Sequence, residues 1–140
     1  MYVKLHHVGI AVEDLDALTS IFKDKLGLRW DHSEDVPSEH ARVSFFPVGE
    51  SSLELVQPTS GETGLSRFLA KRGPGLHHIC LEVEDIESLM SSLKKRGVRL
   101  TSDAPVPGAH GARVTFIHPQ STGGLLIELR EGAKESHDDA

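Results

Sequence analysis

Apolar and polar side chains alternate along residues 3–12, and this period of two predicts a half-buried strand. The two faces of that strand differ in bulk, with Val8, Ile10 and Val12 on one and His7, Gly9 and Ala11 on the other. A helical spacing of apolar residues follows, and Gly27 is placed to end that helix; the apolar stripe consists of Leu15, Leu18, Ile21, Phe22 and Leu26. We expect the bulky strand face to pack against this stripe, so that the small face points away from the helix.

Three further alternating segments predict strands that complete a β-α-β-β-β unit over about residues 3–57. Residues 28–36 and 42–47 are each predicted to form a strand, and residues 52–56 form the last one after a turn at 48–51. Between the first two of these strands, Pro37-Ser38-Glu39-His40 is predicted to be a loop.

The unit occurs twice in the chain. Leu5-His6-His7 returns as Leu76-His77-His78, and residues 42–46 return as residues 113–117, both 71 positions later (7 to 78 and 42 to 113). Leu53-Glu54-Leu55 returns as Ile127-Glu128-Leu129 after three further residues. Because a duplicated unit fixes the architecture, we predict one α+β domain over 1–140. Its parts are module one at about 3–57, a linker with one short helix at about 58–75, module two at about 76–130 and a polar tail at 131–140.

Composition narrows the class of partner. The net charge of −6, with lysine and arginine scattered along the chain, argues against a nucleic-acid or anionic-membrane partner. A single cysteine excludes an internal disulfide and fits a reducing compartment. No apolar run reaches membrane-spanning length, and the first strand begins almost at the amino terminus, which leaves no room for a signal peptide. We therefore expect a cytoplasmic protein.

Each module supplies one histidine at the start of its first strand and one glutamate in its last, all on the face opposite the bulky one; these are His7, Glu54, His78 and Glu128. Taken singly, such residues are usually surface groups on amphipathic strands. Their repetition favours a shared metal site, because two imidazoles and two carboxylates suit a divalent ion such as Co, Mn, Ni, Fe or Zn. Six-coordination would leave open positions, which are typical of catalytic sites.

Other candidate groups have simpler interpretations. Cys80 shares the His78 face and could ligate, but a small buried thiol is more often cavity lining. His6 and His77 point to the opposite face, where we expect them to support the ligands or contact a helix. Four more histidines in or beside loops are expected to be solvated: His32, His40, His110 and His118. The cluster Lys94-Lys95-Arg96 suits the end of a helix, and it could also hold a phosphate.

Several motifs resemble a known family over about residues 3–130. They are His7-Val8-Gly9-Ile10-Ala11-Val12, Phe46-Pro47-Val48-Gly49, Pro58-Thr59-Ser60, residues 68–73 before Gly75-Leu76-His77-His78-Ile79, Pro107-Gly108-Ala109-His110-Gly111 and residues 118–129. With the paired modules, these motifs resemble the vicinal oxygen chelate superfamily, which includes glyoxalase I, extradiol dioxygenases and certain resistance proteins. Within that superfamily, the chain is most similar to the methylmalonyl-CoA epimerase family. The resemblance implies a curved, cleft-enclosing mixed sheet with helices on its outer face.

The resemblance also implies an activity and a set of site residues. It assigns His7, Glu54, His78 and Glu128 as ligands of one divalent ion per chain, with cobalt favoured. The implied reaction is epimerisation of (2R)- and (2S)-methylmalonyl-CoA by proton abstraction at C2 through a metal-stabilised enolate. Glu39 matches the acidic residue proposed as the catalytic base, and Glu128 is the second acid/base candidate. An acyl-CoA substrate and a homodimer follow from the same resemblance.

Two positions depart from the pattern of the family. Some relatives carry glutamine where this chain has Glu54, which keeps an oxygen ligand and adds a negative charge. Gln120 stands where the family usually has lysine, which puts any contact of that lysine with coenzyme A in doubt.

Three other functions use the same residues. A glyoxalase-like isomerase would apply the same ligands and enolate chemistry to a glutathione hemithioacetal. A ring-cleaving oxygenase would hold Fe(II) with two histidines and one carboxylate, although the fourth ligand argues against it. A metal-free protein could sequester a drug in the same cleft, and metal analysis would distinguish it from the enzymes.

Overall fold

The structure is a computed structural model that describes residues 2–132, so residues 133–140 of the predicted tail lie outside it. The strands in this range are β1 Val3–Ala11, β2 His32–Val36, β3 Ala41–Val48, β4 Ser51–Pro58, β5 Gly75–Val83, β6 Val106–Pro107, β7 Arg113–Ile117 and β8 Ile127–Glu131. The α-helices are α1 Leu15–Ser20, α2 Gly64–Arg72 and α3 Ile86–Lys95. Two successive β-α-β-β-β units separated by α2 result, and the predicted α+β class is confirmed.

The first compact unit comprises His6–Ile79. Its strands lie in the order β2-β3-β4-β1, with antiparallel pairing except between β4 and β1, which are parallel, so its sheet is mixed. The helix α1 packs on one face of this sheet because its apolar stripe meets the bulky side of β1 and β4. The residues at this contact are Val12, Leu15, Phe46 and Leu55, flanked by Ile10, Leu18, Phe22, Leu28 and Leu53.

The second compact unit comprises residues 2–5 and 80–132 of the described chain. The end of β5 lies beside β8, which is followed by β7 and the edge strand β6, and the pairs β8–β7 and β7–β6 are antiparallel. The helix α3 packs on this sheet through a second apolar cluster, centred on Val83, Ile86, Met90 and Leu129. Among the described residues, no helix combines the length and the apolar character that crossing a bilayer requires.

Both units begin their first helix in the same way. Asp14 accepts a hydrogen bond from the Ala17 backbone N–H at 3.0 Å, and Asp85 accepts one from the Ser88 N–H at 3.1 Å. The acidic turn that follows each first strand is therefore an N-cap. Gly27 adopts a positive φ value after the first helical segment, as the sequence predicted, and Gly97 does the same after the second.

The structure differs from the predicted elements at three places. The predicted helix over 15–26 is regular only as far as Ser20, and Ile21–Lys25 form a π-helical turn. The strand predicted over 28–36 begins only at His32, since the Leu28 N–H still bonds the Phe22 carbonyl at the helix end. The strand β6 was missed because it has two residues, one of them a proline, which a sheet accepts only at its edge.

A buried hydroxyl links three elements of the first unit. Ser44 on β3 is fully buried, and its Oγ lies 3.0 Å from the Thr19 Oγ1, 3.0 Å from the Trp30 Nε1 and 3.1 Å from the Ser33 Oγ. A hydroxyl has two acceptor positions and one hydrogen, so these three contacts use its whole capacity. Ser44 thus connects α1, the segment before β2, and β2 itself.

Replacing Ser44 with alanine should lower the free energy of unfolding by about 2 kcal/mol, because the indole N–H and two hydroxyl groups then lose a buried partner. Urea denaturation monitored by tryptophan fluorescence measures this change. Ser91→Ala, on the exposed side of α3, is the matched control and should shift stability by less than about 0.5 kcal/mol. A Ser44→Ala protein as stable as this control would contradict the proposed role of the hydroxyl.

Candidate active site

Five polar side chains are buried within residues 2–132: His7, Ser44, Glu54, Thr115 and Glu128. The duplication relates four of them, since Ser44 corresponds to Thr115 and Glu54 to Glu128. Ser44 has the hydroxyl contacts described above, and the Thr115 Oγ1 lies 2.8 Å from the Ser102 Oγ. Burying a histidine and two carboxylates is costly unless they have polar or ionic partners. These three therefore mark a functional site more strongly than the hydroxyl pair does.

Three predicted ligands lie in the first compact unit, His6–Ile79: His7 on β1, Glu54 on β4 and His78 near the start of β5. The Nε2 atoms of His7 and His78 are 3.0 Å apart, and the His7 Nδ1 lies 3.1 Å from the Glu54 Oε2. His7 and Glu54 are 5% and 8% exposed. Because β1 and β4 run parallel with Gly9 opposite Glu54, the carboxylate reaches the histidine two residues earlier on the same face.

A histidine precedes each of these two histidines and contacts it. The Nδ1 atoms of His6 and His7 are 2.8 Å apart, and those of His77 and His78 are 2.9 Å apart. The His77 ring also lies edge-on against Phe68 of α2, with ring centroids 5.0 Å apart. The neighbouring histidines therefore engage Nδ1 and leave the two Nε2 atoms facing each other. Metal-binding imidazoles commonly have their second nitrogen fixed in this way.

Gly9 makes room for the His78 ring. A Cβ atom built on Gly9 would lie 2.1 Å from the His78 Cε1 and 2.4 Å from its Nδ1, far inside van der Waals contact. The small face predicted for β1 is thus required at this position, because any side chain on Gly9 would displace the imidazole.

In the second unit, Glu128 occupies the position that corresponds to Glu54. Glu128 on β8 lies opposite Phe116 on β7, just as Glu54 on β4 lies opposite Phe45 on β3. Its neighbour Leu129 is part of the apolar cluster under α3, so alternation along the strand places the Glu128 side chain on the opposite face. Glu128 is 5% exposed.

Glu39 lies at the end of a 3-10 turn, Pro37–Glu39, rather than in an irregular loop. Its side chain is half-buried, while Ser38 and His40 on either side are exposed. His40 has a φ of 50°, a left-handed conformation, and its carbonyl accepts a hydrogen bond from the Thr59 N–H at 2.8 Å. The turn is therefore fixed to Thr59, the residue directly after β4, and it holds Glu39 in a defined place.

The remaining candidate groups make local contacts. His32 stacks on Phe45 and lies 2.6 Å from both the Glu34 and the Asp31 carboxylates; the Glu34 hydrogen bond is the larger of the causes that raise the pKa of His32. Cys80 is fully buried. The Lys94 Nζ donates to the Asp103 carbonyl at 2.7 Å.

Gln120, at the position where the family usually has lysine, accepts a hydrogen bond from the Arg99 guanidinium. Its backbone N–H donates to the His118 Nδ1 at 3.1 Å. His118 therefore caps the turn Pro119–Ser121, which follows it.

Sequence reasoning missed one charged residue near the candidate ligands. Arg130 lies two residues after Glu128 on β8, and its guanidinium Nε is buried without a hydrogen-bond partner among the described residues. The available signal was alternation, because residues two apart on a strand share a face.

The first-unit residues fit a divalent cation. Two facing imidazole nitrogens beside a buried carboxylate are nitrogen and oxygen donors of the type that Co, Mn, Ni, Fe and Zn accept. A thiolate-rich structural zinc site is excluded, since the chain has one cysteine.

Comparisons with known proteins identify the family to which the fold and the candidate site belong. Residues 6–116 match the family model described as the Glyoxalase/Bleomycin resistance protein/Dioxygenase superfamily. The chain is 38% identical to the ethylmalonyl-CoA/methylmalonyl-CoA epimerase of Cereibacter sphaeroides over 133 residues, 94% of this chain and 99% of that protein. The solved methylmalonyl-CoA epimerase from Mycobacterium tuberculosis has a TM-score of 0.87 and 35% identity, covering 94% of this chain and 89% of that one. A variant of the Streptomyces coelicolor methylmalonyl-CoA epimerase, solved with 2-nitronate-propionyl-CoA, has a TM-score of 0.88 and 32% identity, covering 94% and 95%.

The chain therefore belongs to the glyoxalase/bleomycin resistance protein/dioxygenase superfamily, as its fold, its paired histidines and its buried carboxylates indicated. Within that superfamily it belongs to the family of methylmalonyl-CoA epimerases, and it is an enzyme of the racemase and epimerase class.

Proposed function

We propose that this enzyme interconverts (2R)- and (2S)-methylmalonyl-CoA by moving the proton at C2. The observation that carries the proposal is the contact of the buried His7 with His78 and with the buried Glu54, within a chain of this family. A relative that matches along nearly its whole length is named for epimerising ethylmalonyl-CoA and methylmalonyl-CoA. The bound compound in the Streptomyces coelicolor structure is a coenzyme A derivative as well, which supports a coenzyme A thioester as the substrate class.

We propose that one divalent cation, with cobalt favoured, is held by His7, Glu54, His78 and Glu128. His7 contacts both His78 and Glu54, and the equivalent strand position of Glu128 in the second unit supports adding it as the fourth ligand. When bound, such a cation would stabilise the negative charge that develops on the thioester oxygen of the substrate as the C2 proton leaves. Glu54 in place of a neutral amide adds one negative charge to the site and should tighten the binding of the cation.

Side-chain carboxylates of the protein remove the C2 proton of the substrate and return it. The C2 hydrogen lies between a thioester and a carboxylate, so it is weakly acidic and a positioned carboxylate can remove it. We assign this step to Glu39, which the 3-10 turn holds in a half-buried place. Inversion requires that the proton return on the opposite face of C2, and Glu128 is our candidate for that second group.

The test is to incubate the cobalt-loaded protein with (2S)-methylmalonyl-CoA in deuterium oxide and to follow deuterium at C2 by mass spectrometry and NMR. The proposal predicts (2R) product that carries deuterium. Methylglyoxal with glutathione, the glyoxalase substrate pair, should give no product above background. Absence of both exchange and inversion with methylmalonyl-CoA would contradict the proposal, and turnover of the glutathione adduct would favour the glyoxalase-like alternative.

Two expectations from the sequence, a homodimer and a cytoplasmic location, stay predictions. Light scattering of the purified protein tests the first, and fractionation of the source cells tests the second.

A further inference from the structure

The strand β8 carries two charged residues on the face away from α3. Leu129 packs in the cluster under α3, so its neighbours Glu128 and Arg130 both project to the other side. In the antiparallel register, Glu128 lies opposite Phe116 and Arg130 lies opposite Val114. Residues two apart on a strand are about 7 Å apart, so the guanidinium belongs to the immediate surroundings of the Glu128 carboxylate.

The Arg130 guanidinium has almost no partners within residues 2–132. Its Nη1 donates one long hydrogen bond, 3.4 Å, to the Ala109 carbonyl, and its Nε is buried with no acceptor. No carboxylate of the described residues pairs with it. Arg113, on the neighbouring strand, differs in this respect because it pairs with the carboxylates of both Glu87 and Glu131.

An arginine is always charged and has five donors in a planar fork. Leaving such a group partly buried with its Nε donor unsatisfied is unfavourable, and a residue that served packing alone would not need the charge. The arrangement suits a group that completes its hydrogen bonds with a ligand. The planar fork matches the two oxygens of a carboxylate or of a phosphate.

The segment that contacts Arg130 is itself fixed. The Gly108 N–H donates to the Ala112 carbonyl at 2.8 Å, and the Ala112 N–H donates to the Ala109 carbonyl at 3.2 Å. A Cβ on Gly108 would lie 2.8 Å from the Val114 Cγ1, so this turn packs closely on β7. The turn that contains Ala109 is therefore fixed against Val114, the residue opposite Arg130. The Ala109 carbonyl accepts the hydrogen bond of the guanidinium and so orients that group before any ligand binds.

We propose that Arg130 is a specificity-determining residue that binds the free carboxylate of the acyl group, so that the enzyme selects malonyl-type thioesters over thioesters without a second acid group. This inference rests on the proposed function. We favour the acyl carboxylate over the coenzyme A phosphates as the group that Arg130 binds, because Arg130 lies next to Glu128. Glu128 is assigned to the reacting end of the substrate. An anionic acyl group beside the buried Glu128 carboxylate also needs a positive charge to offset their repulsion.

The experiment compares the binding of malonyl-CoA and acetyl-CoA, two thioesters that differ by one carboxylate and carry the same phosphates, to cobalt-loaded protein by calorimetry. The wild-type protein should prefer malonyl-CoA. Arg130→Gln should reduce that preference by about 10-fold or more and leave acetyl-CoA affinity within about twofold. Arg130→Lys should keep part of the preference, because it retains the charge and loses the fork. Arg113→Gln, the matched charge-removing control on β7, should leave the preference unchanged.

Three outcomes would overturn the inference, two of them with Arg130→Gln and one with the wild-type protein. Equal weakening of both thioesters by Arg130→Gln would mean that the guanidinium binds the coenzyme A portion, and no change in either would mean that its role is structural. A wild-type protein that prefers malonyl-CoA but does not exchange the C2 proton would overturn the proposed epimerisation and leave the role of Arg130 standing. A wild-type protein without the preference would overturn the inference about Arg130 whatever its activity.

Discussion

Replacing Glu39 with glutamine should lower kcat for epimerisation by about 100-fold or more, while the cobalt content of the purified protein stays at the wild-type level. The amide keeps the size and the hydrogen-bonding capacity of the side chain but cannot accept the C2 proton. Glu39 lies on a 3-10 turn outside the strands that carry the histidines, so its loss should leave those strands undisturbed. KM should change little, because the lost interaction belongs to the transition state.

Steady-state kinetics and metal analysis on the same preparations measure these quantities. Glu50→Gln, an exposed carboxylate in the turn between β3 and β4, is the matched control and should keep wild-type kcat. If Glu39→Gln retained more than about half of the wild-type kcat, Glu39 could not be the base. A variant that lost cobalt and activity together would instead indicate a role in holding the ion.

Replacing Gly9 with alanine should weaken cobalt binding by about 10- to 100-fold, the range that displacement of a ligand's supporting contacts commonly produces. The new methyl group would lie 2.1 Å from the His78 Cε1, so the imidazole must move. Because the obstructed atom is the end of a side chain and not backbone, the strand should still form. Activity measured at limiting cobalt should fall with the affinity and recover in part at high cobalt.

Calorimetric titration with cobalt measures the affinity, and a thermal melt of the metal-free protein confirms that the variant is folded. Gly61→Ala is the matched control, since a Cβ there meets no atom within 4 Å. A folded Gly9→Ala protein with wild-type cobalt affinity would show that the position of His78 does not matter for the metal.

The sequence was sufficient for the architecture because the protein is a duplication. The spacing of 71 residues aligned His7 with His78 and predicted two β-α-β-β-β units, which the structure contains. The N-cap aspartates follow the same spacing (14 to 85), and a glycine ends each helical segment with a spacing one residue shorter (27 to 97), so local signals and the repeat agreed. Agreement across these levels is what made the prediction of the fold reliable.

Features that depend on packing between distant segments were not predictable from the sequence. The close approach of Gly9 to His78 and the three hydroxyl and indole contacts of Ser44 join residues that are far apart in the chain. The π-helical turn at Ile21–Lys25 has the same apolar spacing as the α-helix before it, so periodicity did not distinguish the two. The two-residue strand β6 is too short to produce a pattern.

The candidate site was predicted in part. The repeat selected two histidines and two glutamates, and the structure places His7 in contact with His78 and with Glu54 and buries Glu128. The half-buried position of Glu39 was not expected from a loop sequence, in which a glutamate is normally solvated. The unsatisfied Nε of Arg130 became visible only once its surroundings were known.

The central claim is that each module lends one histidine and one glutamate to a single divalent ion. A crystal structure of the cobalt-loaded protein, with anomalous data at the cobalt absorption edge, tests it most directly. We predict one cobalt peak per chain, bonded at about 2.1 Å to nitrogen atoms of His7 and His78 and to carboxylate oxygens of Glu54 and Glu128. An anomalous map without cobalt at these residues, or with cobalt bound by the residues of one module alone, would contradict it.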